Sequence, residues 1–280
     1  IAAGMQWNMF EMAGGTASTY FGVETFDINY RADVDAQSEA GLVGGSAGNS
    51  AQGPRSVNAV MAEAILPVTD YLEVDLAVRY DNYDDFGSEV SPRVGATFTM
   101  IDNLVVKASY GQGFRAPDLS DLYGATSFSA ETATDYYGCQ LDGVAEADCP
   151  DRQFDTYIGS NPDLDAETSE TMSFGLEYTY DNNWVAKVNY VTLELQSANE
   201  YVSAQDMLNV DRNTGGNNPQ VTRNSLGAVV EIAAGYQNAV SDVQRKSVDL
   251  ALDGTIHESD DYGTFGFRGE ATKYLKFETE

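Results

Sequence analysis

Apolar and polar residues alternate along most of this chain. Between Leu72 and Tyr80, apolar side chains occupy every second position, and Glu73, Asp75 and Arg79 fill three of the positions between them. A period of two residues sends successive side chains to opposite faces of a β-strand. The same alternation begins again at Pro92, Leu104, Met172 and Trp184. Strands with one apolar and one polar face are therefore the main building block that the sequence predicts.

The alternation and the turn residues between the runs predict ten strands. They cover residues 5–13, 18–31, 54–67, 71–82, 92–100, 104–113, 169–180, 184–199, 243–257 and 263–277. The predicted long connections are 32–53, 83–91, 114–168 and 200–242, and the short ones are 14–17, 68–70, 101–103, 181–183 and 258–262. Short and long connections alternate throughout. This is the plan of an outer-membrane barrel, whereas a soluble Greek-key sandwich gives no reason for it.

The fold class that we predict is all-β, an antiparallel up-and-down transmembrane β-barrel. The chain has no run of 18 apolar residues that would form a membrane-spanning helix, but a barrel strand needs only about 9–11 alternating residues. The alternation is under way in the first residues and still running in the last ones. We therefore expect a partial barrel, about ten strands of a larger one.

The charge balance excludes one class of partner. The chain has 44 acidic and 15 basic residues and a net charge of −29, so nucleic-acid phosphates would be repelled. The only histidine, His257, has no G-x-S-x-G motif or other catalytic partner pattern to go with it. We therefore predict that the protein is not an enzyme and needs no cofactor.

One stretch changes abruptly from strand to turn. SYGQGFRAPDLSDLYG, at 109–124, alternates in its first half, and then Pro117 and several turn-forming residues end the pattern. After a long loop the chain continues as GSNPDLDAETSETMSFGLEY, at 159–178. These two segments, in this order, resemble the central barrel of TonB-dependent outer-membrane receptors. The matching positions are Tyr110, Gly111, Gly113, Phe114, Arg115, Ala116, Pro117, Asn161, Pro162, Leu164, Glu167 and Thr168.

The resemblance implies a function as well as a fold. Members of this family are 22-stranded barrels filled by an N-terminal plug, which the periplasmic protein TonB pulls. They import a scarce nutrient, usually a ferric siderophore, with cobalamin or an oligosaccharide as other cargoes. Residues 1–280 would then be a partial barrel domain in the outer membrane, with surface loops near 32–53, 114–168 and 200–242 and without the plug. The implied partners are outer-membrane lipid, the plug of the same parent chain, TonB and the small-molecule nutrient.

Two groups of polar residues have open roles. The motif residues either shape the strand ends only or also contact a ligand, and Arg115 is the best candidate for binding a carboxylate of the plug or ligand. Several charged residues on the polar strand faces should point into the lumen, where they pair with the plug or with each other. These are Glu63, Arg79, Arg93, Lys107 and Lys187.

The loop 114–168 contains both cysteines and many acids. Cys139 and Cys149 are predicted to form a disulfide, because the cell exterior is oxidising and no nearby histidine or third cysteine completes a metal site. Eleven acids of this loop are solvated charge or, alternatively, ligands for a divalent cation. They are Asp118, Asp121, Glu131, Asp135, Asp142, Glu146, Asp148, Asp151, Asp155, Asp163 and Asp165. The acid excess weighs against an anionic ferric chelate as the cargo.

Smaller features complete the prediction. Residues 203–210 favour a short helix capped by Ser203, and residues 224–238 favour an additional strand within their loop. Tyr83 and Phe86 are predicted to belong to an interfacial aromatic girdle. Two other functions remain open: a passive porin-like or phage-adsorbing barrel, and a secreted acidic β-sandwich that binds sugars through Ca²⁺.

Overall fold

Ten long strands form a single antiparallel sheet in chain order. The computed structural model describes residues 1–39, 42–43, 46–47, 50–181 and 183–279. Each long strand pairs with the next one along the chain, as in a meander. The strands are β1 (Ala2–Met12), β2 (Gly15–Ala32), β4 (Ala51–Thr69), β5 (Leu72–Tyr83), β6 (Gly87–Ile101), β7 (Leu104–Arg115), β10 (Glu167–Tyr180), β11 (Trp184–Gln196), β15 (Val243–Ser259) and β16 (Gly263–Thr279). This confirms the predicted all-β, up-and-down architecture and all ten strands.

The large sheet is a wall with two edges. In the described part of the chain, β1 and β16 lie at opposite ends of the strand order and do not pair with each other. The wall is therefore an open portion of a barrel. None of the helices among the described residues has the length and apolar character needed to cross a membrane.

The long connections fold into a second, smaller sheet, which we call the loop sheet. Its strand order is β12-β14-β9-β8-β3, and β13 pairs with β14 from the side. The strands are β3 (Ser46–Ala47), β8 (Ser127–Thr134), β9 (Asp151–Gly159), β12 (Asn199–Val202), β13 (Val221–Arg223) and β14 (Val229–Asn238). The helices are α1 (Ala36–Glu39), α2 (Leu119–Tyr123), α3 (Tyr136–Leu141) and α4 (Ala204–Asn213), with a 3₁₀ turn at Glu146–Asp148.

The loop sheet has its own apolar core. Ala133 of β8, Ala204 and Leu208 of α4, Val221 of β13 and Ile232 of β14 are all buried in one cluster. The predicted helix is confirmed as α4: the Ser203 side chain accepts from the Asp206 amide, and the Asp206 carboxylate accepts from the Ser203 amide. The predicted strand at 224–238 is present as β14, which begins later, at Val229.

One predicted long connection is wrong. Residues 83–91 were expected to form a loop, but β5 continues to Tyr83 and β6 begins at Gly87. Asn82 pairs with Ser88 and Tyr83 with Gly87, so only three residues turn the chain. Polar side chains do not interrupt the backbone ladder, and Gly87 takes the positive φ of 116° that the turn requires. The strict alternation of short and long connections therefore has an exception.

The outward face of the large sheet carries a belt of exposed apolar side chains. On β10, Met172, Phe174, Leu176 and Tyr178 are each 40–55% exposed. The belt from Met172 to Tyr180 covers nine residues, which at about 3.4 Å per residue and a tilt of about 40° spans about 23 Å. A continuous apolar surface of this size requires an apolar environment, which a bilayer provides.

On eight strands the belt ends with a change from apolar to polar outward residues. Toward the long-connection end, the last apolar outward residues before the first polar one are Val23, Val60, Tyr80, Val90, Tyr110, Met172, Tyr190 and Val248. Two residues further along each strand, the outward positions are Thr25, Asn58, Asn82, Ser88, Gln112, Glu170, Thr192 and Lys246. We call the first set the belt border and the second set the polar fringe. On each of these eight strands, the change from apolar to polar outward residues marks where the hydrocarbon of a bilayer would end and the headgroups would begin.

The face assignment predicts how two neighbouring cysteines react. In the full-length protein reconstituted in lipid, Phe174→Cys should react with a membrane-soluble maleimide, because its side chain points outward into the belt. Ser173→Cys should not, because Ser173 points inward and its hydroxyl lies 2.7 Å from that of Ser109. Mass spectrometry of the labelled protein measures the difference. Equal labelling of both cysteines would contradict the assignment.

Candidate ligand-facing rim and loop sheet

The two segments that carry the family resemblance meet at the end of the large sheet. Arg115 of β7 pairs with Glu167 of β10, and Phe114 pairs with Thr168. Lower on the same pair of strands, Gly111 lies opposite Thr171 and Gly113 opposite Ser169. The 51 residues between Arg115 and Glu167 thus leave and re-enter the sheet at adjacent positions.

Arg115 binds Glu167 through two parallel hydrogen bonds. Nε donates to Oε2 at 2.7 Å, and Nη2 donates to Oε1 at 2.6 Å. The Glu167 side chain is only 7% exposed, and its Oε1 also accepts from the Asn199 amide at 2.6 Å. The Arg115 side chain is 57% exposed, and its Nη1 lies 4.0 Å from Asp118. The pair joins two strand ends to the start of β12, while binding of a plug or ligand by Arg115 stays a prediction.

The rest of the motif packs between the large sheet and the loop sheet. Pro117 and Leu164 are almost fully buried, whereas Pro162 is exposed in a turn. The Asn161 side-chain amide donates to the Tyr236 carbonyl at 3.0 Å, and the Asn161 backbone amide donates to the Asp121 carbonyl at 2.7 Å. These contacts tie the return segment to β14 and to α2.

A buried arginine that the sequence did not reveal supports the same region. Arg55 donates to Asp85 at 2.6 Å and to the Pro117 carbonyl at 2.8 Å. The two charged side chains are 7% and 2% exposed. The rings of Tyr83 and Phe86 lie 5.5 and 5.6 Å from the guanidinium, in the range of cation–π contacts. Tyr83 and Phe86 therefore pack around Arg55, and not on the outward face as an interfacial girdle.

Arg223 holds the two longest connections together inside the loop sheet. Its Nε donates to Asp211 at 2.8 Å, and its two terminal nitrogens donate to the two carboxylate oxygens of Asp135 at 2.8 and 2.7 Å. All three side chains are at most 13% exposed. Burial opposes ionisation of the Asp135 carboxyl, but the hydrogen bonds from Arg223 and from the Gly138 amide outweigh it and lower the Asp135 pKa. Asp135 is thus not solvated loop charge.

A cavity of about 290 Å³ opens between these two connections. Asp135, Cys139, Arg152 and Phe154 line it from one connection, and Val229 lines it from the other. Cys139 and Cys149 form a disulfide with a Cα–Cα distance of 5.9 Å, which closes the loop beside the cavity. Arg152 is exposed, and its guanidinium forms no hydrogen bond or ion pair with another described residue.

A second cavity, of about 390 Å³, lies next to the return segment. Tyr157, Asn161, Met207 and Tyr236 are among its lining residues. Its wall thus includes one residue of the family motif and two aromatic rings from the parallel strands β9 and β14. Sequence reasoning did not find either cavity, because both arise from contacts between connections that are distant in the chain.

The charged residues of the inward strand faces are mostly paired within the wall. Lys107 and Lys187 approach the Glu177 carboxylate at 3.0 and 3.4 Å. Arg79 contacts Glu24 at 2.9 Å and Asp81 at 2.8 Å. The side chains of Arg93 and Glu63 form no ion pair with another described residue, and whether they contact a plug stays a prediction. Within the described ranges, no group of three or more His, Cys, Asp or Glu residues is placed to hold a metal ion.

Loss of Arg115 should loosen the strand ends. Arg115→Gln leaves the buried Glu167 carboxylate with fewer donors, at a cost of about 1–3 kcal/mol. Hydrogen exchange of the Asn199 amide, which donates to the same carboxylate, should therefore become faster. Arg31→Gln is the matched control. The side chains of Arg31 and of its partner Asp33 are both more than 60% exposed, so water can replace the lost hydrogen bonds. Unchanged exchange at Asn199 in the Arg115 variant would show that the pair does not hold this segment.

The loop sheet should resist mild acid and open in stronger acid. Because the folded-state pKa of Asp135 lies below its unfolded value of about 3.9, its contribution to stability is full above that pH and is lost as the pH falls through the folded-state pKa. Protease cleavage between β8 and β9 should therefore stay slow from about pH 7 to pH 5 and rise below about pH 4. Asp135→Asn should cleave faster at neutral pH, while Asp155→Asn, an exposed control, should not.

Comparison with known proteins identifies the wall. A family model described as TonB dependent receptor-like, beta-barrel, matches residues 3–280. A curated relative, the ferric enterobactin receptor PirA of Pseudomonas aeruginosa, is 30% identical over 200 residues, which are 68% of this chain and 24% of the relative.

Solved structures share the fold of this wall. The ferric enterobactin receptor PfeA of Pseudomonas aeruginosa, in complex with enterobactin, superposes with a TM-score of 0.71 at 16% identity, over 98% of this chain and 35% of that one. The siderophore receptor PirA from Pseudomonas aeruginosa superposes with a TM-score of 0.58 at 17% identity, over 98% of this chain and 43% of that one. The chain thus spans well under half of the relatives that it matches, and it belongs to the TonB-dependent receptor family as a part of its β-barrel.

Proposed function

We propose that the parent protein is an outer-membrane receptor that imports a ferric siderophore with energy supplied through TonB. The observation that carries the proposal is the placement of the loop sheet: the motif strands β7 and β10 end directly beneath it, and its two cavities open between the connections. In this proposal the connections 32–53, 114–168 and 200–242 face the cell exterior. The relatives described as ferric enterobactin or siderophore receptors support this cargo class.

The distribution of charge is compatible with an anionic chelate, although the chain is acidic overall. Arg212 and Arg223 are neutralised by Glu146 and by Asp135 and Asp211. Arg152 forms no hydrogen bond or ion pair with another described residue, and it lines the 290 Å³ cavity together with Phe154. A cavity lined by a guanidinium and an aromatic ring suits a planar, negatively charged ligand, because the two groups can offer hydrogen bonds and stacking. In this proposal Arg152 alone, and not a cluster of basic residues, makes the first contact with the ferric siderophore.

Binding of ferric enterobactin to the purified full-length protein tests the cargo. We expect saturable quenching of protein fluorescence, and we expect Arg152→Gln to weaken binding roughly tenfold, about the value of one charge-assisted hydrogen bond. Arg31→Gln removes the same charge from the end of strand β2 and should change nothing. Binding that is absent, or equal in both variants, would contradict this cargo and this contact.

Uptake of radioactive iron by cells that produce the full-length protein tests the energy coupling. Uptake should require TonB, so it should be lost in a strain without TonB while surface binding of the chelate persists. Uptake that continues without TonB would favour the passive barrel instead. Binding without any uptake in either strain would leave a receptor that does not transport.

A further inference from the structure

The cations of the polar fringe are confined to one hairpin. At the fringe positions of β2, β4, β5, β6, β7, β10 and β11 the outward residues are neutral or acidic, and only β15 places a lysine there, Lys246. Three of the 15 basic residues of this chain, Lys246, Lys273 and Lys276, lie on the outward face of this hairpin, although the net charge is −29. The outward face of the β15–β16 hairpin is thus a basic island at the belt border.

Register places three lysines together on this face. Lys246 of β15 pairs directly with Lys276 of β16, and Lys273 lies opposite Val248, one outward position lower. Directly opposed like charges destabilise a strand pair unless an anion lies between them. Lys276 has partners, because its Nζ donates to Gln244 at 3.0 Å and lies 3.3 Å from Glu278. The ammonium groups of Lys246 and Lys273 form no hydrogen bond or ion pair with another described residue.

A groove of about 380 Å³ leads from the apolar belt to Lys246, and Lys276 reaches its wall by donating to Gln244. Tyr110, Met172 and Tyr190 line its lower part at the belt border, and Gln244 and Lys246 line its upper part. Two carboxylates also line the groove, and each accepts from a neighbouring amide: Gln112 donates to Glu170 at 2.8 Å, and Gln196 donates to Glu194 at 2.8 Å. The positive end of the groove is therefore its β15 side, and its apolar end is continuous with the lipid-facing surface.

We propose that Lys246, Lys273 and Lys276 bind the phosphate of an anionic lipid headgroup, whose acyl chain lies along Tyr110, Met172 and Tyr190. The position of the site supports a lipid and not a soluble anion, because Lys273 lies at the belt border and Lys246 and Lys276 lie one outward position beyond it, where headgroups meet hydrocarbon. Charge complementarity supports phosphate, because three cations within two cross-strand pairs interrupt an otherwise neutral or acidic fringe. The inference depends on the membrane placement of the wall and is independent of the cargo.

Native mass spectrometry of the purified full-length protein with added phosphatidylglycerol tests the site. Replacing Lys246, Lys273 and Lys276 by Gln should reduce the bound fraction, with an apparent affinity loss of about tenfold or more. Replacing the same three residues by Arg should retain binding, which separates loss of charge from misfolding. The matched control, Arg31→Gln with Arg93→Gln and Arg212→Gln, removes the same charge away from the hairpin and should retain binding.

Two further probes decide the nature of the ligand. Diacylglycerol with the same acyl chains lacks the phosphate, and its binding should not respond to the lysine changes. Inorganic phosphate, added at the same concentration as the phosphatidylglycerol, should not displace the bound phosphatidylglycerol. Equal loss in the lysine variant and in the charge-matched control, no loss in either, or full displacement by inorganic phosphate would each overturn the proposal.

Discussion

The backbone of a membrane-spanning strand has to find all its hydrogen-bond partners within the protein. Hydrocarbon offers no donors or acceptors, and each unpaired N–H or C=O costs several kcal/mol there. Long unbroken ladders at the centre of this wall follow from that constraint: β10 pairs with β7 over twelve consecutive positions and with β11 over thirteen. The same constraint explains the two-residue alternation. Pairing on both sides keeps each strand extended, so its side chains point alternately to the lipid and to the lumen. The open edges at β1 and β16 need partners for the same reason.

Outside the belt, ion pairs between side chains hold neighbouring segments together. Three arginines do this at successive levels: Arg115 joins two strand ends, Arg55 joins β4 to the turn after β5, and Arg223 joins two connections. Each uses several donors of its planar guanidinium, which lysine does not offer. In a chain with so many more acids than bases, almost every base near the loop sheet has been neutralised by a neighbour. Arg152, Lys246 and Lys273 form no ion pair with another described residue, and they stand out because pairing is the rule.

Sequence reasoning predicted the wall better than the loops, for a physical reason. The segment from Met172 to Tyr180 shows the alternation of apolar and polar residues within nine residues, because each outward position contacts lipid and has to be apolar regardless of its neighbours. The resemblance located the motif residues, but only the structure showed that Arg115 pairs with Glu167, because 51 residues separate the two in the chain. Arg55, Asp85 and the Arg223 network gave no local signal. The error at 83–91 came from equating the end of apolar alternation with the end of the strand, whereas the ladder of β5 and β6 continues into water.

The loop sheet resolves a conflict that the wall creates. A lipid-facing wall can change its outward residues only within the apolar class, and its inward residues are tied to charge partners such as Glu177 with Lys107 and Lys187. If the proposed function holds, specificity for the siderophore has to arise where neither lipid nor register limits the side chains. Residues from two connections supply that freedom and still fold, because Ile232 and Leu208 bury an apolar core that does not depend on the membrane. Loops without such a core would lose conformational entropy each time they became ordered around a ligand. Here that loss is smaller, because the cavities beside Arg152 and Tyr236 are already formed.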